Sequence, residues 1–172
     1  MADDAPAVQV RPAVAADADR IAAVYAPYVL DSVASFEDVA PTAEQMRARM
    51  VGGPWLVAGT GEDVVGFAYA GPHQARPAYR WSVNVSVYVA ANAVGRGVGR
   101  ALYDVLLADL RAAGVVNAYA GITLPNVASI ALHEAVGFTK VAHYPHVGFK
   151  HGAWHDVGWW ALGLVDELPV PP

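Results

Sequence analysis

A glycine-rich segment of the chain has the composition of a turn that binds phosphate. Residues 94–100 read VGRGVGR and precede a stretch with helical periodicity. Glycine lets backbone N–H groups approach a ligand closely, and the first turn of a helix adds unpaired donors and a positive dipole end. The segment predicts a pyrophosphate site, although the same residues taken alone fit a tight turn with packing glycines equally well. The residues of the predicted site are Gly95, Arg96, Gly97, Val98, Gly99 and Arg100.

A nine-residue segment before this turn alternates between two kinds of side chain. Residues 81–89 read WSVNVSVYV, in which the odd-numbered positions are apolar. The even-numbered positions, Ser82, Asn84, Ser86 and Tyr88, can form hydrogen bonds. A period of two is typical of a strand with two different faces. The polar face would line a binding site or meet solvent, and alternation alone leaves both interpretations open.

A metal site is another chemistry that the residue types suggest. His151, His155 and Asp156 lie close together in the sequence. Their spacing would suit a helix, but the segment has the pattern of a hairpin and a strand, so we expect no metal there. The chain contains no cysteine, which excludes disulfides, thiolate nucleophiles and thiolate zinc sites.

The elements that must position these residues follow from periodicity, caps and turn residues. Strands are predicted at 8–13, 54–59, 64–71, 81–89, 115–123, 138–148 and 153–165. Helices are predicted at 17–30, 42–50, 98–113 and 130–137. Thr42 and Gln45 form a candidate capping box, and Pro27 is expected to kink or end the first helix. A strand–helix–strand unit with hairpins on both sides predicts an α/β fold with a mixed sheet.

Length, composition and charge limit the classes of protein to which the chain can belong. Its 172 residues fit one domain, 1–172, with 1–7 and 167–172 expected as extended tails. A net charge of −5 without a run of lysine or arginine argues against binding to nucleic acid. No apolar run reaches membrane-spanning length, and the first residues lack the pattern of a signal peptide. We therefore expect a soluble, cytoplasmic protein with no membrane partner.

The glycine-rich turn is followed by a second motif, PNVASIALHEAVGF, at residues 125–138. Together the two motifs resemble the GNAT superfamily of acetyl-CoA-dependent N-acetyltransferases. In that superfamily the turn reads [Q/R]-x-x-G-x-[G/A], so Val94 departs from the pattern at its first position. AYAGPHQARPAY, LHEAVGF and especially KHGAWHDVGWW are similar to the phosphinothricin and methionine sulfoximine acetyltransferases within the superfamily. The likeness runs from about Val8 to the C-terminal prolines.

The resemblance implies a GNAT fold, with a mixed, mostly antiparallel central sheet, a splayed pair of parallel strands and flanking helices. Acetyl-CoA would lie in the gap between those strands, with its pyrophosphate on the glycine-rich turn. Its pantetheine arm would pair with the backbone of Val87, Tyr88 and Val89. Asn126 and Ser129 would contact this arm or cap a helix that begins near Val127. The backbone N–H near Tyr88 would polarise the thioester carbonyl.

The resemblance also assigns catalytic residues, with one departure. The family places a glutamate, its proposed general base, where this chain has Asn84. An amide cannot ionise, so Asn84 can only hold a water or the amine by hydrogen bonding. A water chain through Asn84, Ser86 and Tyr88, or a carboxylate such as Glu37, would have to replace the base. His133 occupies the position of a proton donor to the departing CoA thiolate, or of a proton relay.

Phe36, Gln74 and Arg76 occupy positions that bind the acceptor in the family. The family often has lysine at position 74 and an aromatic residue where His73 stands, which together with Asn84 suggests a shifted acceptor preference. The segment HGAWHDVGWW would form a homodimer surface and one wall of the acceptor pocket.

We therefore expect transfer of acetyl to the amine of a small amino-acid-like acceptor of the phosphinothricin or methionine sulfoximine type. One alternative is a related enzyme for another small amine or a peptide. The other is an acyl-CoA-binding module with weak catalysis, because Asn84 replaces the glutamate.

Overall fold

A seven-stranded sheet flanked by four α-helices makes up the computed structural model, which describes residues 8–170. The strands are β1 (Gln9–Pro12), β2 (Trp55–Thr60), β3 (Asp63–Pro72), β4 (Ser82–Val89), β5 (Asn117–Leu124), β6 (Thr139–Lys150) and β7 (Ala153–Gly163). The helices are α1 (Ala18–Leu30), α2 (Ala43–Arg49), α3 (Val98–Ala112) and α4 (Val127–Ala135).

The strand order in the sheet is β1-β2-β3-β4-β5-β7-β6. Every neighbouring pair is antiparallel except β4 and β5, which are parallel. That pair is joined by the crossover helix α3, as a parallel connection requires. The predicted α/β fold, with a mixed and mostly antiparallel sheet, is confirmed.

Each face of the sheet carries its own apolar core. On one face, α3 and α4 cover a core that includes the fully buried Leu102. On the other face, α1 and α2 cover a second core that includes Ile21 and Phe67. Side chains of β4 alternate between the two, because Val85 belongs to the first core and Tyr88 packs against the second. The predicted alternation of this strand is confirmed, and its even-numbered side chains point to the side of α1.

Local capping signals correctly placed the start of α2. Thr42 Oγ1 accepts the N–H of Gln45 at 3.2 Å, and Gln45 Oε1 accepts the N–H of Thr42 at 2.8 Å. Pro27, by contrast, does not end α1, which continues to Leu30. The proline lies in the last turn, where its own carbonyl still accepts the N–H of Asp31 at 2.9 Å.

The helix α4 begins at Val127, upstream of the helical stretch 130–137 and directly after Asn126, the residue predicted as a possible cap. Asn126 Oδ1 accepts the N–H of Ser129 at 3.1 Å. Residues 167–170 belong to no helix or strand, and the tail predicted at 1–7 lies outside the described residues. Within 8–170, no helix is long and apolar enough to cross a membrane.

Candidate active site

The two parallel strands of the sheet separate to form a cavity. β4 and β5 are paired only where Ser82–Asn84 lies beside Asn117–Tyr119, and beyond this point they diverge. The space between them opens into a cavity of about 450 Å³, whose walls come from β4, the glycine-rich turn, β5 and α4. The predicted site residues that line it are Val87, Tyr88, Val89, Gly95, Gly97, Val98, Gly99, Arg100, Asn126, Ser129 and His133.

Backbone groups of β4 point alternately toward β3 and toward the cavity. The N–H of Ala90 donates to a carbonyl of β3 at 2.8 Å, whereas the carbonyl of Val89 accepts the hydroxyl of Tyr28 at 2.6 Å. Since these groups alternate along an antiparallel ladder, odd-numbered residues of β4 direct their N–H and carbonyl away from β3. Val87 therefore presents its backbone to the cavity, while the backbone of Tyr88 faces β3.

Tyr88 contributes its side chain to the site. Its ring packs edge-on against Tyr25 and Tyr28, with centroids 4.8 Å and 5.0 Å away. Burial raises the pKa of Tyr88, so its phenol stays protonated near neutral pH and can donate a hydrogen bond. A backbone N–H near Tyr88 was predicted to polarise the thioester carbonyl. The N–H of Val87 suits this role better than the N–H of Tyr88, because only the N–H of Val87 points to the cavity.

The glycine-rich turn brings the first turn of α3 to the cavity. Gly97 is the N-cap of α3 with a φ of +78°, a conformation that other residues rarely adopt. A Cβ at Gly97 would meet nothing within 4 Å, whereas a Cβ at Gly99 would lie 2.8 Å from Leu132 Cδ2. Gly97 thus leaves the space before the helix N-terminus open, and Gly99 allows α3 to pack closely on α4. The interpretation as a ligand-binding turn therefore applies to Gly97, and the interpretation as a turn with packing glycines applies to Gly99.

The two arginines of the turn have different environments. Arg100 lines the cavity, and it also donates to Asp104 at 2.9 Å and to the carbonyl of Ala135 at 3.2 Å. Arg96 is exposed and does not line the cavity. Of the two side chains, Arg100 is therefore the one that adds positive charge to the cavity wall.

His133 is buried in the α4 wall, and both of its ring nitrogens are occupied. Nδ1 lies 2.7 Å from the carbonyl of Ser129, so Nδ1 carries the hydrogen and donates it. Nε2 then accepts the hydroxyl hydrogen of Tyr103 at 2.8 Å. Burial lowers the pKa of His133, and the bond to Ser129 opposes this shift only in part. The imidazole is consequently neutral at pH 7.

The polar face of β4 ends in a hydrogen-bonded pair that the sequence did not predict. Oδ1 of Asn84 lies 2.8 Å from Nδ1 of His73. The His73 ring stacks on Tyr119 at 4.5 Å between centroids and meets Trp159 edge-on at 6.2 Å. Asn84 does not line the cavity, but Ser86, the next residue on the same face, does. Two residues of a strand span about 7 Å, so the pair lies one step beyond the cavity, away from the glycine-rich turn.

The predicted acceptor residues lie outside the cavity. Phe36 is 40% exposed and packs toward the β6–β7 hairpin, where its ring centroid lies 6.3 Å from that of His155. A Cβ at Gly148 would collide with the Phe36 ring, so this contact needs glycine. Gln74 and Arg76 are exposed on the loop between β3 and β4. The structure thus does not bring these three residues together around the cavity.

A buried lysine holds the loop that carries Phe36. Lys150 is 5% exposed, and its Nζ donates to the carbonyls of Val29 and Ser35 at 2.6 Å each. These bonds connect the end of β6 to the end of α1 and to the loop that follows. The position of Phe36 therefore depends on a contact that spans more than one hundred residues of sequence, since Lys150 lies 115 positions from Ser35.

Glu37, the carboxylate named as a possible base, is committed to other partners. It accepts two hydrogen bonds from Arg49, at 2.7 Å and 2.8 Å, and one from the hydroxyl of Tyr25 at 2.9 Å. The bonds from Arg49, more than any other cause, lower the pKa of Glu37. A carboxylate held in this way is a poor proton acceptor, so the geometry disfavours it as the replacement base.

The residues considered for a metal site have other partners. His155 Nε2 lies 3.0 Å from the carbonyl of Lys150, and Asp156 accepts from His143 Nε2 at 2.7 Å. Within the described part of the chain, no group of three His, Asp or Glu side chains is placed to hold a metal.

Sequence reasoning missed two residues around the site, Tyr28 and Tyr119, whereas His73 and the segment that contains Trp159 were already assigned to the acceptor side. The face on which Tyr119 lies could have been predicted from the alternation of its strand. Ala118 and Ala120 belong to the core on the α3 side, so Tyr119 must face the other way. No local pattern pointed to Tyr28, because the carbonyl that accepts its hydroxyl hydrogen, that of Val89, lies 61 positions away in the sequence.

The cavity suits a long ligand with an anionic diphosphate, a peptide-like arm and a reactive end. The N-terminus of α3 and Arg100 would hold the diphosphate. The backbone of Val87 would pair with the arm, and Asn126 and Ser129 provide polar groups on the opposite wall. The reactive end would then lie near Ser86, toward the pair formed by Asn84 and its histidine partner.

Comparisons with known proteins show similarity over most of the chain. Residues 10–159 match the family model described as an acetyltransferase (GNAT) domain. The chain is 40% identical over 172 residues to phosphinothricin N-acetyltransferase from Streptomyces viridochromogenes, with 96% of this chain and 91% of the relative covered. It is 35% identical over 161 residues to L-methionine sulfoximine/L-methionine sulfone acetyltransferase from Salmonella typhimurium, with 91% and 94% covered.

A solved structure gives the same fold. The crystal structure of a GNAT superfamily phosphinothricin acetyltransferase from Sinorhizobium meliloti, in complex with AcCoA, superposes with a TM-score of 0.90. The two chains are 35% identical, and the match covers 96% of this chain and 92% of that one.

Proposed function

The chain belongs to the GNAT family and is an acetyl-CoA-dependent N-acetyltransferase, and from that premise we propose that it acetylates the amine of a small amino-acid-like acceptor. The acceptor class is the phosphinothricin or methionine sulfoximine type, which the names of relatives at 35–40% identity support. The observation that carries the proposal is the cavity between β4 and β5, which has a helix N-terminus at one end and a polar pair beyond the other.

Acetyl-CoA occupies this cavity in the proposal. Its pyrophosphate lies at the N-terminus of α3, where Gly97 leaves the helix N–H donors accessible and Arg100 adds charge. The backbone carbonyl of Val87 pairs with the pantetheine arm, as strand addition would. The thioester then lies near Ser86, within reach of an acceptor on the side of Asn84.

The transfer is direct and needs no covalent enzyme intermediate. The neutral amine attacks the thioester carbonyl carbon and the carbon–sulfur bond breaks. The nitrogen loses one proton as the amide forms, and the departing thiolate gains one to become the CoA thiol. The N–H of Val87 stabilises the oxyanion that develops on the carbonyl. A chain without cysteine is compatible with this route, because no thiol nucleophile is required.

His133 serves in the proposal as a proton relay to the departing thiolate. In this role the imidazolium form of His133 gives one proton to the sulfur and returns to the neutral imidazole, which solvent then protonates again. Tyr103, which donates to Nε2, keeps its own hydrogen because burial raises its pKa. His133→Gln should therefore lower kcat by about tenfold or more, within the range of general acid catalysis, without changing the Kd of acetyl-CoA. An unchanged kcat, with the fold intact by circular dichroism, would remove His133 from the mechanism.

Phe36, Gln74 and Arg76 remain proposed acceptor contacts. Phe36 would form an aromatic wall, and Arg76 would pair with the carboxylate of an amino-acid acceptor. Because Gln74 and Arg76 lie on an exposed loop, the proposal requires this loop to approach the acceptor. Arg76→Gln should raise the KM of an α-amino acid acceptor more than that of its amide, and equal effects would exclude the pairing.

We further propose that the chain, as a single domain over residues 1–172, forms a homodimer through the β6–β7 hairpin. This hairpin exposes large apolar side chains at Val141, Tyr144, Val147, Phe149 and Trp154. Exposed apolar groups in such number are typical of an interface. Sedimentation analysis should give a mass twice that of the chain, and Trp154→Lys should shift the equilibrium toward monomer. A monomer at every concentration tested would exclude this assembly.

Release of free CoA thiol from acetyl-CoA tests the function. The acceptors are phosphinothricin, methionine sulfoximine, methionine sulfone, ordinary amino acids, polyamines and a peptide. The protein adds no thiol of its own to the assay because it has no cysteine. Fast turnover with the first three acceptors is expected. Turnover with peptides alone would replace the acceptor class, and saturable acetyl-CoA binding without acceptor-dependent thiol would favour the acyl-CoA-binding module.

A further inference from the structure

His73 is fixed beside Asn84 by the sheet as well as by the side-chain hydrogen bond. The N–H of His73 donates to the carbonyl of Ser82 at 3.2 Å, which continues the β3–β4 ladder one pair past Pro72 and Val83. His73 is thereby a diagonal neighbour of Asn84 on the same face of the sheet. Nδ1 of the ring reaches Oδ1 of Asn84 at 2.8 Å.

The orientation of the Asn84 amide determines which nitrogen of His73 carries the hydrogen. Oδ1 of Asn84 can only accept, so a neutral His73 has its hydrogen on Nδ1 and its lone pair on Nε2. Tyr119, whose ring stacks at 4.5 Å, and Trp159, which meets the ring at 6.2 Å, limit rotation of the imidazole. His73 is thus a proton acceptor held in one tautomer and one plane.

The pair lies where an acceptor amine must approach. The strand β4 runs from Asn84 toward the glycine-rich turn, so the diphosphate end of the cavity is remote from Asn84 and the reactive end is near it. Ser86, on the same face and about 7 Å along the strand, already lines the cavity. Trp159 Nε1, beside the pair, is buried without a hydrogen-bond partner among residues 8–170.

Other candidates for a base in this region are already engaged. Glu37 is paired with Arg49, and both ring nitrogens of His133 are bonded. Tyr88 keeps its proton because burial raises its pKa. His73 is the one of these groups whose second basic atom takes part in no hydrogen bond within the described chain.

We infer that His73, oriented by Asn84, takes the proton from the acceptor ammonium. In this step one N–H bond of the ammonium breaks and a proton passes to Nε2 of His73, directly or through a water. The lone pair left on nitrogen then attacks the thioester carbonyl, and His73 returns the proton to solvent. Asn84 is a positioning residue, which fixes the tautomer that makes Nε2 basic. The inference rests on the proposed function, because it presupposes an amine acceptor.

Few titratable groups lie close enough to His73 to exchange a proton with it. The titratable side chains in contact with its ring are Tyr119 and Tyr79, whose ring centroid lies 5.9 Å away. In the described residues no carboxylate forms a salt bridge with it. The proton that His73 accepts therefore has no neighbouring carboxylate to which it would pass.

The test compares wild type with His73→Phe, which keeps an aromatic ring on Tyr119 and removes the basic nitrogen. Near pH 7 the variant should lose about a hundredfold or more in kcat/KM, with the Kd of acetyl-CoA unchanged. The loss should shrink toward about pH 9.5, because more of the acceptor amine is then neutral without assistance. A merely structural defect would not shrink in this way. His143→Gln, which removes an exposed imidazole on β6, should leave both measurements unchanged.

Two further variants separate His73 from Asn84. Asn84→Ala should lower kcat/KM about tenfold in wild type and have little further effect in the His73→Phe background, because both act through one group. His73→Phe combined with Asn84→Glu should recover activity by supplying a carboxylate in the same place. An equal loss at both pH values, no loss in His73→Phe, or additive effects of the two single variants would overturn the inference. If wild type releases no CoA with any acceptor, the proposed function itself fails, and the inference falls with it.

Discussion

The glycine-rich turn yields a prediction with an internal control. Gly97 and Gly114 have φ values of +78° and +77°, and a Cβ at either position would meet nothing within 4 Å. Gly97 lines the cavity, whereas Gly114 follows the C-terminal end of α3 and does not. Replacement by alanine at either site should therefore impose the same backbone cost, about 1–2 kcal/mol of unfolding free energy. The two variants differ only in what the added methyl group faces.

The effect on ligand binding follows from that difference. At Gly97 the methyl group enters the space in which the pyrophosphate of acetyl-CoA would approach the N–H donors of α3. Loss of one hydrogen bond to a charged group costs about 1.5–3 kcal/mol, which corresponds to about a 10- to 100-fold rise in Kd. Gly114→Ala should leave the Kd unchanged.

Urea denaturation measures the first quantity and isothermal titration with acetyl-CoA measures the second. Equal losses of stability in the two variants, with weaker binding only in Gly97→Ala, are expected. If Gly97→Ala binds acetyl-CoA within about twofold of Gly114→Ala, a change of under about 0.5 kcal/mol, the turn does not hold the pyrophosphate. The proposed placement of the ligand in the cavity would then be wrong.

Two predictions concern stability away from the cavity. Asp17 is buried and accepts two hydrogen bonds of 2.7 Å from Arg11, which lower its pKa. Its folded pKa therefore lies below its unfolded pKa, so the stabilisation is present above the unfolded value and is lost as pH falls through the folded value. Asp17→Asn should show a flatter decline of unfolding free energy below about pH 4, and an unchanged slope would contradict this. Lys150→Met leaves two buried carbonyls without a donor and should cost about 2–4 kcal/mol, while raising the KM of the acceptor. Exposed Lys140→Met is the matched control, and equal effects of the two lysine variants in urea denaturation would refute the reasoning.

The sequence carried enough information for the architecture because its signals are local and mutually consistent. The alternation of residues 81–89 placed Asn84 and Tyr88 on the same face of β4, since a strand permits no other arrangement. The glycine at position 97 marked the start of α3, because its left-handed conformation excludes most other residues. Such features depend on a few neighbouring residues and can be predicted from them.

The contacts that set the chemistry of the site are not local. His73 and Asn84 meet because the β3–β4 register and the loop between these strands bring them together, and a departure from the family pattern does not predict that contact. Tyr103 bonds to His133 across 30 positions, on two different helices. Glu37 looked available as a base in the sequence, and only its partner on α2 shows that it is not. Side-chain partners of this kind require the folded arrangement.

The most direct test of acetyl transfer follows the acetyl group itself. Acetyl-CoA with an isotopically labelled acetyl group is incubated with the protein and methionine sulfoximine or phosphinothricin, and both the small-molecule products and the intact protein are examined by mass spectrometry. We predict the label on the amine nitrogen of the acceptor as an amide, with the mass of the protein unchanged throughout turnover. Label retained on the protein as a chemically competent intermediate, or released only as acetate at a rate independent of the acceptor, would contradict direct N-acetylation.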